Sequence, residues 1–157
     1  MSDTAAPGDL CATLNATLHG WNAAMGMRFV KATGDEVIAE IEVAAHHRQP
    51  YGIVHGGVHA GLIETVASVG AAVFAMPRGQ SVVGLENSTS FIRAARGGTI
   101  RATGRPVTRG RKTQVWEVTV TDGEGRTLST GRVRLLCLEG DAGLAGEKVA
   151  IKPEEIA

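Results

Sequence analysis

The chain has 157 residues, 43% hydrophobic and 20% charged, enough to bury one core and too few to expect two. Sixteen basic residues offset sixteen acidic ones, so no long-range attraction to nucleic acid or to an anionic membrane is expected. Cys11 and Cys137 lie far apart in no recognisable spacing, and the first ten residues carry neither a basic start nor an apolar signal core, which points to a reduced, cytoplasmic protein.

Residues 1–7 read as a disordered end. Leu10, Leu14 and Leu18 then recur at four-residue spacing behind Asp9, a candidate cap, and predict a short amphipathic helix. Gly20 and Gly26 punctuate the next segment. Met27 to Lys31 and Glu36 to Val43 alternate apolar and polar residues around a Thr33-Gly34-Asp35 turn, which predicts a β-hairpin. His46 to Pro50 form a polar loop that leads into the most apolar stretch of the chain, Tyr51 to Phe74.

Within that stretch the spacing predicts a helix from Val58 to Pro77, apolar on nearly every face, as expected of a helix surrounded by protein. The span Val58 to Met76 contains His59 and Glu64 and has no basic anchors before it, which argues against a membrane crossing. Pro77-Arg78-Gly79 ends the helix. Strand-like runs come next at Val82 to Arg93, Thr99 to Arg109, Lys112 to Thr121 and Arg126 to Leu138, separated by glycine turns, and predict an antiparallel meander. Glu139 to Ala157 lose the pattern. The expected organisation is an N-terminal segment (1–26) with a short helix, one α+β domain (27–138) with an antiparallel sheet around a long helix, and a flexible tail (139–157).

Glu64 is the only formally charged residue of the central helix. An isolated ionised carboxylate there costs several kcal/mol, on the order of a buried unpaired charge, unless it is paired or open to a pocket. The alternative is a solvated or salt-bridged Glu on an outer face. Gly56 and Gly57 stand where the helix begins, so their amides lack intrahelical acceptors and can stabilise developing negative charge on an oxygen; a plain turn is the competing reading. Gly57 and Glu64 are seven positions apart, about 10 Å along the axis at 1.5 Å per residue, too far to act on one carbon. A second, antiparallel copy of the helix would bring one subunit's glycines to the other's Glu64, so a composite intersubunit site is expected. Ser68, one turn beyond Glu64, serves either that carboxylate or close packing in a small-residue surface. His55 and His59 are four apart with His46 and His47 nearby, but no Glu follows His55 as in a zincin motif, so no metal is expected.

From Arg28 to Leu138 the chain resembles the hotdog-fold acyl-CoA thioesterases, in the branch of the phenylacetate-pathway and Arthrobacter-type 4-hydroxybenzoyl-CoA thioesterases. The resemblance is carried by G-x-V-H-G-G at Gly52 to Gly57, Glu64 nine residues after His55, the strand from Glu86 to Arg93, and Gly110-Arg111 before Val115-Trp116-Glu117-Val118. It implies a sheet wrapped around one helix, a homodimer or dimer of dimers, and hydrolysis of an acyl-CoA with no cofactor beyond the CoA of the substrate. It further implies that Glu64 acts as nucleophile or general base, that the Gly56 amide polarises the thioester carbonyl, and that His55 shapes that loop. Gln49 matches a polar position near the thioester, and Ser68 matches a hydroxyl contributed with the acid by the opposite subunit. Glu64 and Gln49, where many phenylacetate-type members have Asp and Asn, favour the Arthrobacter-type arrangement. For the CoA phosphates the candidates are Arg93, Arg96, Arg109 and Arg111, with Arg93 and Arg111 foremost. A hotdog hydratase or dehydratase and a non-hydrolytic acyl-CoA-binding module are the alternatives, and aryl, short-chain and medium-chain acyl groups all stay open.

Overall fold

The computed structural model describes residues 8–149; residues 1–7 and the end of the tail, 150–157, lie outside the described residues. Two short helices, α1 (Cys11–Ala16) and α2 (Gly20–Ala24), precede the hairpin of β1 (Met27–Ala32) and β2 (Val37–Glu42). The long helix α3 (Gly56–Ala75) comes next, then β3 (Ser81–Phe91), β4 (Thr99–Arg109), β5 (Thr113–Thr121) and β6 (Thr127–Leu138). All six strands form one antiparallel sheet in the order β1-β2-β4-β5-β6-β3, which wraps α3. This is the hotdog arrangement.

The period-two burial of β4 to β6 explains the wrapping. Ile100 and Ala102 of β4, Trp116, Val118 and Val120 of β5, and Leu128, Val133 and Leu135 of β6 are buried in one core with Leu62, Ile63, Val66, Ala67 and Ala71 of α3. Three glycines let the surfaces approach. A β-carbon on Gly70 would lie 2.3 Å from the Trp116 ring, one on Gly104 2.5 Å from Val66, and one on Gly131 2.7 Å from Ile63. The indole N–H of Trp116 donates to Gln114 Oε1 at 3.0 Å, and the buried Gln114 donates to the Ala71 carbonyl at 3.1 Å, so both polar groups at this contact are satisfied. The outer face carries cross-strand ion pairs: Glu40 with Arg28 and Arg101, Glu117 with Arg132, and Glu86 with Arg134. The pairs of Glu117 and Glu86 are exposed and contribute about 1 kcal/mol or less each, whereas Glu40 is buried and its carboxylate is shared by two arginines.

Four expectations need correction. The strands after α3 are not a simple meander: β4, β5 and β6 are, but β3 pairs with β6 from Ser81↔Leu138 to Phe91↔Ser129 and forms an edge. The helix crosses the sheet before β3 begins, which delivers the chain to the far side. Helix α3 starts two residues earlier than the apolar pattern, because glycine carries no hydrophobic signal, and Met76–Arg78 continue it as a 3-10 turn. The short α2 occupies a segment that the glycines mark only as punctuation. In the tail, Gly143–Leu144 (β7) pairs with Glu147–Lys148 (β8) in a small antiparallel ribbon, a local hairpin that the mixed Gly, Ala and charged composition conceals.

Candidate active site

The approach to α3 is a tightly bonded loop. Gln49 N–H donates to the Ile53 carbonyl at 2.9 Å, Gly52 N–H to the Gln49 carbonyl at 2.8 Å, and Tyr51 N–H to Gln49 Oε1 at 2.8 Å. Gly52 needs its glycine, with φ +74°. Val54 N–H reaches the Ala95 carbonyl, and His55 N–H reaches the His47 carbonyl, both at 2.8 Å. His55 is the helix cap: extended backbone (φ −65°, ψ 137°) and an imidazole Nδ1 that accepts the Gly57 amide at 2.8 Å. The Gly57 N–H is therefore occupied by the cap. The Gly56 N–H has no acceptor among the described residues and is the free donor of the helix start.

Glu64 lies on the side of α3 that faces β3. Its Oε2 accepts from Asn87 Nδ2 at 3.0 Å, and its Oε1 stands 3.4 Å from the Ser68 hydroxyl, a long and weak contact. Asn87 also donates to the Ala60 carbonyl at 3.0 Å and accepts from the Thr89 hydroxyl at 2.7 Å, so the amide is fixed from both ends. Opposite the carboxylate, a β-carbon on Gly84 would sit 2.4 Å from Oε1. The register of β3 slips between Gly84 and Glu86, a bulge beside the acid. Asn87 and Gly84 as partners of Glu64 escape sequence reasoning; the only signal is the polar strand around Asn87.

Gly56 and Glu64 are eight positions apart on one continuous helix, about 12 Å along the axis. Within one chain, carboxylate and free amide do not converge. Strand β3, which borders both, is exposed on most of its length, with Phe91 62% and Leu85 49% accessible.

At the start of α3 a cavity of about 280 Å³ is bordered by Gln49, Gly56, His59, Phe91 and Arg93. The Phe91 ring covers Gly56, its Cζ 3.0 Å from where a β-carbon would be. His59 is 4% exposed; its Nδ1 is 3.0 Å from the Ser129 hydroxyl, and burial holds its pKa below the ordinary value. His55 and His59 thus address different partners, and no group of three or more His, Cys, Asp or Glu suited to a metal occurs among the described residues.

The four arginines separate into two pairs at opposite ends of α3, which is about 30 Å long. Arg93 borders the cavity just described, while Arg96 donates to the Tyr51 carbonyl at 2.9 Å and braces the loop. Arg109 binds Asp35 Oδ1 at 2.6 Å and the Gly34 carbonyl at 2.8 Å, and stacks 4.4 Å above the Phe74 ring. Arg111 lines a second cavity with Arg78, Arg109, Gln80 and Glu139. Arg96 and Arg109 are thus engaged in holding turns, whereas the side chains of Arg93 and Arg111 have no partner among the described residues.

Residues 51–129 match the family model of the thioesterase superfamily. The chain is 38% identical over 133 residues to Rv1847 of Mycobacterium tuberculosis, covering 83% of this chain and 94% of that protein. The solved structure of that protein superposes with TM-score 0.75 over 76% of this chain and 96% of its own. The chain is 36% identical over 121 residues to the proofreading thioesterase EntH of Cronobacter turicensis, covering 76% of this chain and 88% of the relative. The structure of thioesterase HI1161 from Haemophilus influenzae is 27% identical, with TM-score 0.77, over 82% of this chain and 90% of its own.

Proposed function

The chain belongs to the thioesterase superfamily and is a thioester hydrolase, and we propose that its substrate is an acyl-CoA, cleaved to the free acid and CoA at a site completed by a second copy of the chain. The observation that carries this reading is the division of labour along α3: one unpaired amide at Gly56 and one oriented carboxylate at Glu64, too far apart to meet in a single subunit. An antiparallel partner helix resolves the separation, and the exposed edge of β3 is the surface through which the two copies would join.

In this reading the Gly56 N–H donates a hydrogen bond to the carbonyl oxygen and stabilises the negative charge that grows there. Glu64 of the opposite subunit takes a proton from water as the water oxygen bonds to the thioester carbon; the C–S bond then breaks and the sulfur leaves as the CoA thiolate. Direct attack by the Glu64 carboxylate, with a mixed anhydride that water then hydrolyses, uses the same geometry. Ser68 and Gln49 act as polar partners of acid and carbonyl, and His55 and Gly57 hold the loop. Arg93 and Arg111 are the cations free to meet CoA phosphates. The free thiols Cys11 and Cys137 fit a reducing, cytoplasmic setting. Glu64 and Gln49 favour the Arthrobacter-type over the phenylacetate-type branch; the solved Escherichia coli PaaI structure, 18% identical with TM-score 0.72, shares the fold.

The test is hydrolysis of a panel of acyl-CoA esters, read as free thiol, with wild type and Glu64→Gln. A fall of about a hundredfold or more in kcat is expected of the variant. An unaltered rate would remove Glu64 from the chemistry.

A further inference from the structure

The cavity at the start of α3 holds more hydrogen-bond donors than a thioester carbonyl needs. Gly56 supplies its unpaired N–H. Gln49 has its carbonyl oxygen bound by the Tyr51 amide, which leaves its NH₂ group as the free end. Arg93 supplies a guanidinium, and no acidic side chain of the same subunit borders the cavity.

His59 adds a further donor. Ser129 is fully buried and its hydroxyl has the His59 Nδ1 as its one hydrogen-bond partner among the described residues. The imidazole is neutral, because burial disfavours its charged form. A buried hydroxyl proton must find an acceptor, so Ser129 donates to Nδ1 and the single ring proton lies on Nε2. Nε2 has no partner, yet no fully buried side-chain nitrogen or oxygen among the described residues lacks one. Nε2 therefore reaches accessible surface, and His59 borders this cavity. The residue stands one helical turn after Gly56 and its side chain leans back toward the helix start, which directs its N–H to the region next to the carbonyl site. Phe91, edge-on to the imidazole at 6.2 Å between ring centres, and the apolar Ile53 and Val54 add no side-chain acceptor to the wall.

Resting on the thioesterase reading of this site, we propose that His59 is a specificity-determining residue whose Nε2–H selects acyl thioesters carrying an accepting oxygen, a hydroxyl or keto group, on the second or third acyl carbon. A plain acyl chain would leave this donor unpaired, and the oxygen-bearing chain would not.

The experiment compares kcat/KM for 3-hydroxybutyryl-CoA and butyryl-CoA in wild type, His59→Leu and His59→Gln. Wild type is expected to favour the hydroxylated ester by about tenfold, the Leu variant to bring the ratio close to one, and the Gln variant, which keeps a donor, to retain part of the preference. Each ratio is taken within one preparation, so partial misfolding cancels. A wild-type ratio near one, or a ratio unchanged in His59→Leu, overturns the assignment. If wild type hydrolyses neither ester, the ester panel decides the acyl-CoA hydrolysis reading separately, and the ratio of dissociation constants for the same two esters, measured by calorimetry, decides the role of His59 with the same expected and opposing values.

Discussion

Asn87 Nδ2 donates at 3.0 Å both to Glu64 Oε2 and to the carbonyl of Ala60, one turn before Glu64 on the same helix. The amide thereby ties the acid to the backbone of its own helix and to β3, and leaves the carboxylate with one preferred rotamer. The Ala60 carbonyl, which can only accept, fixes which end of the amide is the donor, and the Thr89 hydroxyl donates to the other end, Asn87 Oδ1, at 2.7 Å.

Asn87→Ala should therefore lower kcat by about tenfold with a smaller change in KM, since the acid is retained but no longer held. Steady-state kinetics on the best ester from the substrate panel checks this. A raised KM with kcat intact would instead make Asn87 a substrate contact.

Two inactive variants should restore activity when combined. Gly56→Pro removes the amide proton at the first helical position, where the backbone tolerates proline and the extended His55 suits a residue before it, while the exposed Phe91 ring, 3.0 Å from the added β-carbon, turns aside. Glu64→Ala removes the acid. Co-expressed, the two chains form mixed dimers with one intact site each, and about a quarter of wild-type activity is expected. No recovery in a preparation shown to contain mixed dimers contradicts a shared site.

Gly70→Ala should destabilise the fold by about 1–3 kcal/mol, because the added methyl would stand 2.3 Å from the Trp116 ring, which is held in place by its bond to Gln114. Urea denaturation reads the loss. Gly123→Ala, where nothing lies within 4 Å, is the control and should change stability by about 0.5 kcal/mol or less.

Acid should weaken the fold through two imidazoles. Burial holds His47 and His59 below the ordinary histidine value of 6.5. His47 is neutral with both nitrogens used, Nδ1 accepting from Ala44 N–H at 2.8 Å and Nε2 donating to the Met25 carbonyl at 3.0 Å, with the His46 ring tilted beside it at 4.0 Å between centres. His59 meets Ser129, and Arg93 borders its cavity. The unfolded chain takes up these protons first as pH falls, so stability is full above about 6.5 and declines below it toward the lower folded values. Denaturation midpoints at pH 7.5 and 5.5 should differ in that direction, and His47→Gln should reduce the difference. A midpoint difference that is undiminished in that variant would assign the acid sensitivity to other groups.

Much of this site is legible in the sequence because its signals are local. A lone carboxylate in an apolar helix, a glycine pair at the helix start and a hairpin around Thr33-Gly34-Asp35 are each contained in one element or one turn with its two strands. Strand order is different. Alternation along β3 says which residues share a face, but not that its neighbour is β6 rather than β4. The arginines show the same limit: Arg109 and Arg111 look alike at a strand end, yet Arg109 is bound to Asp35, 74 positions away, while Arg111 is not. Asn87 is one of several polar residues in its strand until the helix is packed beside it. The pairing of His59 with Ser129 spans 70 positions and has no sequence signature.

Strand β3 touches both halves of the candidate site that one chain supplies, with Phe91 over Gly56 and Asn87 on Glu64. Four strand residues cover about 13 Å and the eight helix positions they accompany cover about 12 Å, so the two elements are commensurate over this interval. They act as a pair of rulers laid side by side, one graduated twice as finely as the other. A single-residue insertion between Asn87 and Phe91 would spoil that match while leaving every candidate site residue in the sequence. The spacing between the two half-sites that one chain supplies is thus stored in the length of an edge strand as much as in the helix itself.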